Sequence, residues 1–258
     1  MPRAARRTWT IERDIGERRR VLRAAAILVA AAAAIFVAGL VLGLEVVGRH
    51  GGGPIQPWDN TVEAWDVHHR AGLVAVSKVI AFLGDAPKLA VIAVILTVLL
   101  LLTVRTIRSL VPLVAYLGGE LQVFVIREIV HRPRPPTALY PAPGAVPGVH
   151  ETSWSFPSGH AVAVTAVLFG LLGAAALAYR RWWPWVIAAL ASLFVAFTRL
   201  DLGVHWFSDV AFGLALGIAW GVAVAVVSWR VDWDDLKAFL PGGSGRRRHY
   251  AGRPARNW

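Results

Sequence analysis

The stretch 24-AAAILVAAAAAIFVAGLVLGL-44 contains 21 residues without a charged side chain. Five further apolar blocks follow in the 258-residue chain, at 89–104, 109–126, 161–179, 182–198 and 210–229. An α-helix rises about 1.5 Å per residue, so about 20 residues cross the ~30 Å of bilayer hydrocarbon. The two shortest blocks can span if the flanking Lys88, Arg105 and Arg181 extend to the interface. The blocks predict an all-α integral membrane protein with six transmembrane helices in a bundle.

The chain outside these blocks divides into a polar cytoplasmic tail at 1–20, a six-span domain at 21–230 and a basic cytoplasmic tail at 231–258. We expect residues 1–20 to be disordered or to lie on the membrane surface, and the C-terminal tail to be disordered. The first block exceeds the 7–15 residues of a signal-peptide core, and acidic residues precede it, which disfavours a cleaved signal. Residues 60–84 mix apolar and charged side chains and predict an interfacial amphipathic segment between spans one and two.

The net charge of +11 is distributed unevenly along the chain. If the N-terminus is cytoplasmic, 19 of the 27 basic residues fall in cytoplasmic segments. This asymmetry follows the positive-inside rule and favours contact with a lipid bilayer over binding to nucleic acid. The sequence therefore predicts a multi-pass protein of the plasma or inner membrane with both termini in the cytoplasm. The chain has no cysteine, which excludes disulfides, thiolate metal sites and cysteine catalysis.

Three polar clusters interrupt the apolar pattern, and the order of the spans brings all three to the external side. The first lies in 127-REIVHRPRP-135, the second is 157-PSGH-160, and the third is 198-TRLDLGVHWFSD-209. Planar arginine side chains bind phosphate through two parallel hydrogen bonds, so Arg127, Arg134 and Arg199 are candidate phosphate ligands. Proline is concentrated between residues 132 and 157, which predicts an irregular outer loop there.

The second cluster precedes the fourth span directly. Ser158 stands where an N-cap residue would be, so the N–H groups of Gly159 and His160 would point outward. A helix start of this kind binds anions, and glycine allows the ligand to approach the backbone closely. Ser158 and Gly159 are therefore further candidate phosphate ligands.

The third cluster contains a histidine and an aspartate four residues apart. If the sixth span begins near residue 204, His205 and Asp209 share one helix face. A carboxylate beside one imidazole nitrogen fixes the tautomer and leaves the other nitrogen free to attack. We therefore predict His205 as the nucleophile, Asp209 as its orienting partner and His160 as the acid and base for the leaving group and water.

Taken singly, each cluster has an ordinary structural explanation. Arginines near span ends usually contact headgroups, Ser-Gly-His can be a simple helix cap, and His-x3-Asp can be a hydrogen bond or half of a metal site. These explanations fail for the three clusters together. Arg132, together with His68, His69, His131 and His150, is interpreted as structural, and Arg132 specifically as a surface or headgroup contact.

The three clusters resemble the type 2 phosphatidic acid phosphatase superfamily, which carries Lys-x6-Arg-Pro, Pro-Ser-Gly-His and Ser-Arg-x5-His-x3-Asp in this order. This chain departs from the pattern at Arg127, where lysine is usual, and at Thr198, where serine is usual. The resemblance runs over about 59–229 and implies a six-helix bundle that hydrolyses phosphate esters or pyrophosphates without a metal or other cofactor. It also implies His205 as nucleophile, His160 as acid and base, and phosphate ligands at the arginine, serine and glycine positions already named.

The leading hypothesis is a lipid phosphatase acting on a lipid phosphate or pyrophosphate, with undecaprenyl pyrophosphate, phosphatidic acid and phosphatidylglycerol phosphate as candidates. A lipid phosphotransferase would use the same site with an alcohol in place of water. A transporter or channel is the alternative from another class, because Glu120 is an intramembrane carboxylate. The superfamily also contains soluble haloperoxidases, which the six apolar blocks argue against. The residues specify neither the lipid nor an oligomeric state.

Overall fold

The computed structural model describes residues 3–70 and 72–231, with side chains described at 16 and from 18 onward, and all regular elements in these ranges are helical. The eight α-helices are α1 (Arg3–Leu42), α2 (Gln56–His69), α3 (Val74–Gly84), α4 (Ala86–Thr103), α5 (Val111–Val130), α6 (Gly159–Tyr179), α7 (Trp183–Asp201) and α8 (Phe207–Trp229). A short π-helix, Gly43–Val47, extends α1, and 3₁₀ turns occur at Ile107–Leu110 and Pro136–Ala138.

Six of these helices are long and apolar enough to cross a membrane. Their bounds are Arg18–Val47, Ala86–Thr103, Ile107–Val130, Gly159–Tyr179, Trp183–Asp201 and Phe207–Trp229. They coincide with the six apolar blocks, so the predicted all-α bundle with six transmembrane helices is confirmed. The backbone from Arg3 onward is helical and continuous with the first span, and the division of the chain at 1–20, 21–230 and 231–258 stays a prediction. The C-terminal tail lies outside the described residues beyond Val231.

Proline marks the first turn of several spans. Pro87 in α4, Pro112 in α5 and Pro184 in α7 occupy one of the first two helical positions, where the missing N–H costs no hydrogen bond. The helix α5 ends at Val130, and the next residue, His131, has the left-handed conformation, with its N–H bonded to the Arg127 carbonyl. The chain therefore leaves α5 abruptly and begins the proline-rich loop.

The predicted amphipathic segment between spans one and two consists of two helices. The helix α2 ends at His69, and α3 begins at Val74 after a short turn. The helix α3 packs against α7, and α2 contacts the start of α8. Both helices therefore lie against the ends of spans that carry the predicted site residues.

The helices α6 and α8 share the most extensive contact of the described bundle, and its geometry depends on glycine. Gly213, Gly217 and Gly221 recur every fourth residue on the face of α8 turned toward α6. A Cβ atom on Gly217 would lie 2.6 Å from the Val162 carbonyl oxygen, so only glycine permits this separation. Small residues at this spacing allow membrane helices to approach backbone to backbone. The start of α8 is thereby held against the start of α6.

The proline-rich loop between α5 and α6 is irregular, as predicted, but it is packed rather than loose. Ala138 and Val146 of the loop form a buried cluster with Leu202 and Val204 from the turn between α7 and α8. An isolated β-bridge joins Leu139 to His150 within the loop. The loop is thus fixed to the turn that carries His205.

Candidate active site

Four segments meet at one end of the bundle: the end of α5 with the loop that follows it, the start of α6, the end of α7 and the start of α8. The backbone N–H of Ser158 donates to the Asp209 carbonyl over 3.1 Å, which joins the second cluster to the third. The structure therefore brings together the predicted residues, which are Arg127, Arg134, Ser158, Gly159, His160, Arg199, His205 and Asp209.

The start of α6 has the predicted form, with Ser158 as the N-cap residue and Gly159 as the first helical residue. Ser158 Oγ is buried and makes no hydrogen bond to any part of the chain that the structure describes. Arg127 donates from Nε to the Pro157 carbonyl over 3.2 Å, and its Nη2 would lie 3.2 Å from a Cβ on Gly159. A guanidinium thus lies directly on the helix start, so both sources of positive potential act on the same space.

Arg134 contacts the imidazole of His205. Its Nη1 lies 3.2 Å from His205 Nε2 and also donates to the Val204 carbonyl over 2.7 Å. A guanidinium can only donate hydrogen bonds, so Nε2 accepts and the proton of the neutral ring is on Nδ1. The lone pair of Nε2 consequently faces the arginine that is predicted to bind phosphate.

His205 is held in its neutral form. Burial lowers the pKa of His205 well below its ordinary value, and the positive charges of Arg134, Arg199 and Arg127 lower it further. A neutral imidazole with an available lone pair is the form that a nucleophile requires.

Asp209 is buried at the start of α8 and receives several donors. Its Oδ2 accepts from the Trp206 N–H over 2.9 Å and from the Ser155 hydroxyl. His205 Nδ1 lies 3.5 Å from the same oxygen and 3.5 Å from Ser155 Oγ, which is longer than a direct N–H···O bond. The carboxylate and the hydroxyl together occupy the Nδ1 side of the ring.

The prediction that His205 and Asp209 share a helix face is wrong. The helix α8 begins at Phe207 rather than near residue 204, with Trp206 as the N-cap. His205 therefore precedes the helix, while Asp209 is in its first turn and bonds the Trp206 N–H. Asp209 approaches His205 because its side chain folds back over the helix start, not because of helical periodicity.

His160 is the second residue of α6, and its ring is oriented by α3. Its Nε2 lies 2.8 Å from the Ala81 carbonyl, which can only accept, so Nε2 carries the proton. The helix α3 approaches so closely that a Cβ on Gly84 would lie 2.7 Å from His160 Cδ2. Nδ1 is therefore the nitrogen of His160 that can exchange a proton.

Arg199 is buried at the end of α7, and its partner was not expected from the sequence. Its Nη2 donates to Glu151 Oε1 over 3.2 Å, while Glu151 Oε2 lies 3.4 Å from Arg134 Nη2. A carboxylate therefore bridges two of the three predicted phosphate ligands. An anionic substrate that binds both guanidinium groups has to share or displace these contacts.

The interpretation of Arg132 as a surface or headgroup contact is wrong. Its side chain is fully buried and forms ion pairs with Asp59 and Asp209, both over 2.6 Å. The error has a physical cause. Sequence position near a span end does not reveal that the loop folds inward and directs this guanidinium between α2 and α8.

A cavity of about 90 Å³ lies beside His205, lined by Val62, Glu63, Asp66, Phe197, Leu200 and Phe207 among others. Within the ranges that the structure describes, no three histidine or acidic residues are grouped so that they could hold a metal ion. The expectations of no metal and no cofactor stay predictions.

Sequence reasoning missed Asp59, Gln56, Ser208, Ser155 and Glu151 in addition to Arg132. Arg132 had a signal, because it stands in an Arg-Pro-Arg-Pro run whose second arginine was selected. Ser208 lies within the third cluster but is an ordinary residue type at a helix start, and the others had no signal, because isolated polar residues in a loop or interfacial helix are ordinary. Only contact in space connects them to the site.

Comparison with known proteins agrees with this arrangement. Residues 108–233 match the model of the PAP2 superfamily and include all three polar clusters. Phosphatidylglycerophosphatase B of Bacillus subtilis (strain 168) is 33% identical over 99 residues, which cover 36% of this chain and 45% of that protein. Undecaprenyl-diphosphatase of Sulfolobus acidocaldarius is 31% identical over 109 residues, covering 41% and 46%. The matched part of this chain thus spans about half the length of these two relatives.

A solved structure is similar over a larger part of the chain. The crystal structure of the first transmembrane PAP2 type phosphatidylglycerolphosphate phosphatase, from Bacillus subtilis, superposes with a TM-score of 0.60 at 26% identity. The similarity covers 76% of this chain and 93% of that one. Over residues 108–233, which hold the three clusters in their order, this chain is thus similar to the PAP2 superfamily, and its fold is similar to that of a PAP2 phosphatase.

Proposed function

We propose that this protein is a membrane lipid phosphatase that hydrolyses a lipid phosphate or lipid pyrophosphate through a phosphohistidine intermediate. The observation that carries the proposal is the orientation of His205. Its Nε2 lone pair faces Arg134, while Asp209 and Ser155 occupy the Nδ1 side. This arrangement suits an imidazole that attacks a phosphorus atom held by arginines.

In the first step, His205 Nε2 attacks phosphorus and the bond from phosphorus to the leaving oxygen breaks. Arg127, Arg134, Arg199 and the first N–H groups of α6 offset the charge on the phosphoryl oxygens in the transition state. His160, protonated on Nδ1, gives that proton to the leaving oxygen. The products are the lipid alcohol, or the lipid monophosphate from a pyrophosphate, and phosphorylated His205.

In the second step, water attacks the phosphohistidine and the bond between phosphorus and Nε2 breaks. His160 Nδ1, now unprotonated, accepts the proton of the water. Inorganic phosphate leaves, His205 returns to its neutral form and His160 is again protonated for the next turnover. Asp209 stabilises the positive charge that develops on His205 during both steps.

Two kinds of evidence support a lipid substrate over a soluble one. The site lies at the end of a six-span bundle, and the cavity beside His205 is partly lined by apolar side chains of α2, α7 and α8. The substrate panel comprises phosphatidylglycerol phosphate and undecaprenyl pyrophosphate, which correspond to the names of the relatives, and phosphatidic acid, which corresponds to the name of the superfamily.

The test uses the purified full chain in detergent micelles or nanodiscs. We expect release of inorganic phosphate from at least one lipid of the panel, and acid-labile, alkali-stable label on the protein after rapid quenching with ³²P-labelled substrate. His205→Ala should abolish both signals. Label on a serine, or turnover by His205→Ala, would overturn the proposed mechanism.

We further infer that the site faces the periplasm or cell exterior and that both termini are cytoplasmic. The support is charge asymmetry, because the end of the bundle opposite the site carries Arg18, Arg19, Arg20, Arg23, Arg105, Arg108, Arg180, Arg181 and Arg230. The basic tails at 1–20 and 231–258 would then flank the catalytic domain at 21–230 on the cytoplasmic side. A single cysteine introduced into the 136–150 loop should react with impermeant maleimide in intact cells. Reaction only after lysis would reverse the topology.

A further inference from the structure

Arg132 is among the largest fully buried side chains of the described chain, and the proposed mechanism gives it no role. Its Nη1 donates to Asp209 Oδ1 over 2.6 Å and to Ser208 Oγ over 2.8 Å. Its Nη2 donates to Asp59 Oδ2 over 2.6 Å and to Gln56 Oε1 over 2.9 Å. One guanidinium thus joins α2 to the first turn of α8.

Asp59 is equally buried and forms hydrogen bonds to the start of the same helix, α8. Its Oδ1 accepts the Ser208 backbone N–H over 2.9 Å, and its Oδ2 accepts the Ser208 hydroxyl over 2.6 Å. The N–H groups of the first helical turn have no partner within their own helix. Asp59, from another helix, therefore caps α8 while it pairs with Arg132.

The guanidinium group of Arg132 determines which carboxylate oxygen of Asp209 is available to His205. Because Oδ1 is bonded to Arg132, Oδ2 is left for Ser155, for the Trp206 N–H and for His205. Rotation of the carboxylate would break the pair with Arg132. The carboxylate is therefore locked in the one orientation in which it faces the imidazole.

The charges of this network are coupled. Two carboxylates, Asp59 and Asp209, share one guanidinium that cannot lose its proton, and all three are out of water. Burial disfavours a charged carboxylate, and the ion pair with Arg132 offsets this by favouring the ionised form of Asp209. Asp59 competes for the same positive charge and weakens that effect.

We propose that Arg132 and Asp59 are positioning residues for the nucleophile. Together they set the orientation and the ionisation of Asp209, and through Asp209 the tautomer and basicity of His205. The inference rests on the proposed function, because it assigns the nucleophile to His205. Neither residue contacts the arginines that are proposed to bind phosphate, so both should affect kcat rather than KM.

The pH dependence depends on every charged group that faces the pair of His205 and Asp209. These groups are Asp59 on α2, Arg127 on α5, Arg132 and Arg134 in the loop, His160 on α6 and Arg199 on α7. The acidic limb of the pH profile of kcat is the range in which kcat falls as the pH decreases. It reports protonation of the coupled pair, since turnover needs a neutral His205 beside an ionised Asp209. Removing a positive charge favours protonation and moves this limb to higher pH. Removing a negative charge moves it to lower pH.

The test compares Arg132→Gln and Asp59→Asn in full-length protein, with phosphatidic acid and undecaprenyl pyrophosphate as substrates. We expect Arg132→Gln to lower kcat on the order of 10²-fold, with KM within about 2-fold of wild type, and to move the acidic limb upward. Asp59→Asn should lower kcat less and move the limb downward. Arg132→Lys should return the limb toward wild type without restoring kcat, because an ammonium keeps the charge but cannot span both carboxylates.

Folding is separated from positioning by further variants. Arg132→Gln leaves two carboxylates buried without a counter-ion and can fail to fold, whereas the double variant Arg132→Gln/Asp59→Asn restores the net charge. The double variant should have a limb close to wild type and a low kcat. Arg70→Gln is the matched control, because Arg70 on the same side bonds the Gly144 carbonyl and does not touch Asp209. It should move the limb much less than Arg132→Gln.

Partial unfolding would lower the activity of both variants but would not move the limb in opposite directions according to the sign of the charge removed. Shifts of the same sign, or no shift together with reduced activity, would overturn the positioning role. So would a shift for Arg70→Gln as large as that for Arg132→Gln. Turnover by His205→Ala would instead refute the proposed function, so the two failures are distinct.

Discussion

Arg127 provides the most direct test of the phosphate site, because it is where this chain departs from the family pattern. Its Nε donates to the Pro157 carbonyl over 3.2 Å, and its Nη2 lies against Gly159 at the start of α6. The side chain therefore has two separable features. One is a positive charge beside the helix start, and the other is a planar group held in register by its Nε hydrogen bond.

The two features predict different losses. Arg127→Ala removes a preorganised donor to the transition-state charge, which costs about 10²- to 10³-fold in kcat, or about 2.7–4 kcal/mol. Arg127→Lys keeps the charge but loses the planar fork and the bond to Pro157. The net value of such a bond is about 1–1.5 kcal/mol, so we expect a loss of about 10-fold.

The assay measures release of inorganic phosphate from a micellar lipid phosphate, as kcat and KM for each variant. Arg49→Ala is the control, because Arg49 is an exposed arginine in the turn after the first span, at the same end of the molecule as the site. Loss of a general positive surface charge would affect both alanine variants. We expect Arg49→Ala to stay within about 2-fold of wild type, as is usual for exposed charges.

Two results would refute this reasoning. If Arg127→Ala keeps near-wild-type kcat, the guanidinium does not bind the reacting phosphoryl group. If Arg127→Lys is as inactive as Arg127→Ala, charge alone contributes little and the planar geometry is essential. In that case, the lysine that is usual in the family would have to act from a different position.

Four further predictions concern other parts of the site and the bundle. Gly159→Ala should fold but lower kcat about 10-fold or more, because its Cβ would lie 3.2 Å from Arg127 Nη2 and cover the anion site. An assay of phosphate release tests this, and normal activity would show that no anion approaches Gly159. Gly217→Ala should lower the free energy of unfolding by about 1–3 kcal/mol. The control Gly119→Ala, whose Cβ would have its nearest neighbour at 3.6 Å, should not lower it. Equal melting temperatures of the two variants in thermal denaturation would contradict the close α6–α8 packing. Because burial and neighbouring arginines hold the pKa of His205 well below its ordinary value, attack should need no deprotonation near neutral pH; a pH–rate profile whose acidic limb lies at or above pH 6.5 would contradict this. Activity should survive EDTA and be inhibited by orthovanadate, since arginines and a helix start surround the proposed phosphate site and no three histidine or acidic residues of the described ranges are grouped to hold a metal. Activity that returns only with added Mg²⁺ or Zn²⁺ would refute this prediction.

The residues that could be predicted are those whose chemistry is unusual for their surroundings. Arg134, His160, Arg199 and His205 stand out because they belong to three polar clusters that the order of the spans brings to one side of the membrane. Their spacing within short motifs is also local, so it can be read without knowing the fold. Arg132 has the same composition signal, yet its burial and its partners were misjudged, because both depend on the direction in which a proline-rich loop folds.

The relation between His205 and Asp209 shows the same limit of prediction from sequence within a single helical turn. Four-residue spacing suggested a shared helix face, but α8 begins two residues after His205. The start of the helix is decided partly by a group remote in sequence, because Asp59 of α2 caps the Ser208 N–H, while Asp209 bonds the nearby Trp206 N–H. A local pattern cannot contain a cap supplied by another helix.

By itself, the sequence determined that the chain crosses the membrane six times, because hydrocarbon thickness and helix rise convert the length of an apolar run directly into a span. It also determined which arginines and histidines gather at one end of the bundle, because successive spans cross the membrane in opposite directions. Only the tertiary structure decided how these groups are held. The glycine contacts between α6 and α8, the Glu151 bridge and the buried network of Arg132, Asp59 and Asp209 all join residues distant in the chain. Such contacts arise from packing and desolvation in three dimensions, which leave no periodic trace in the sequence.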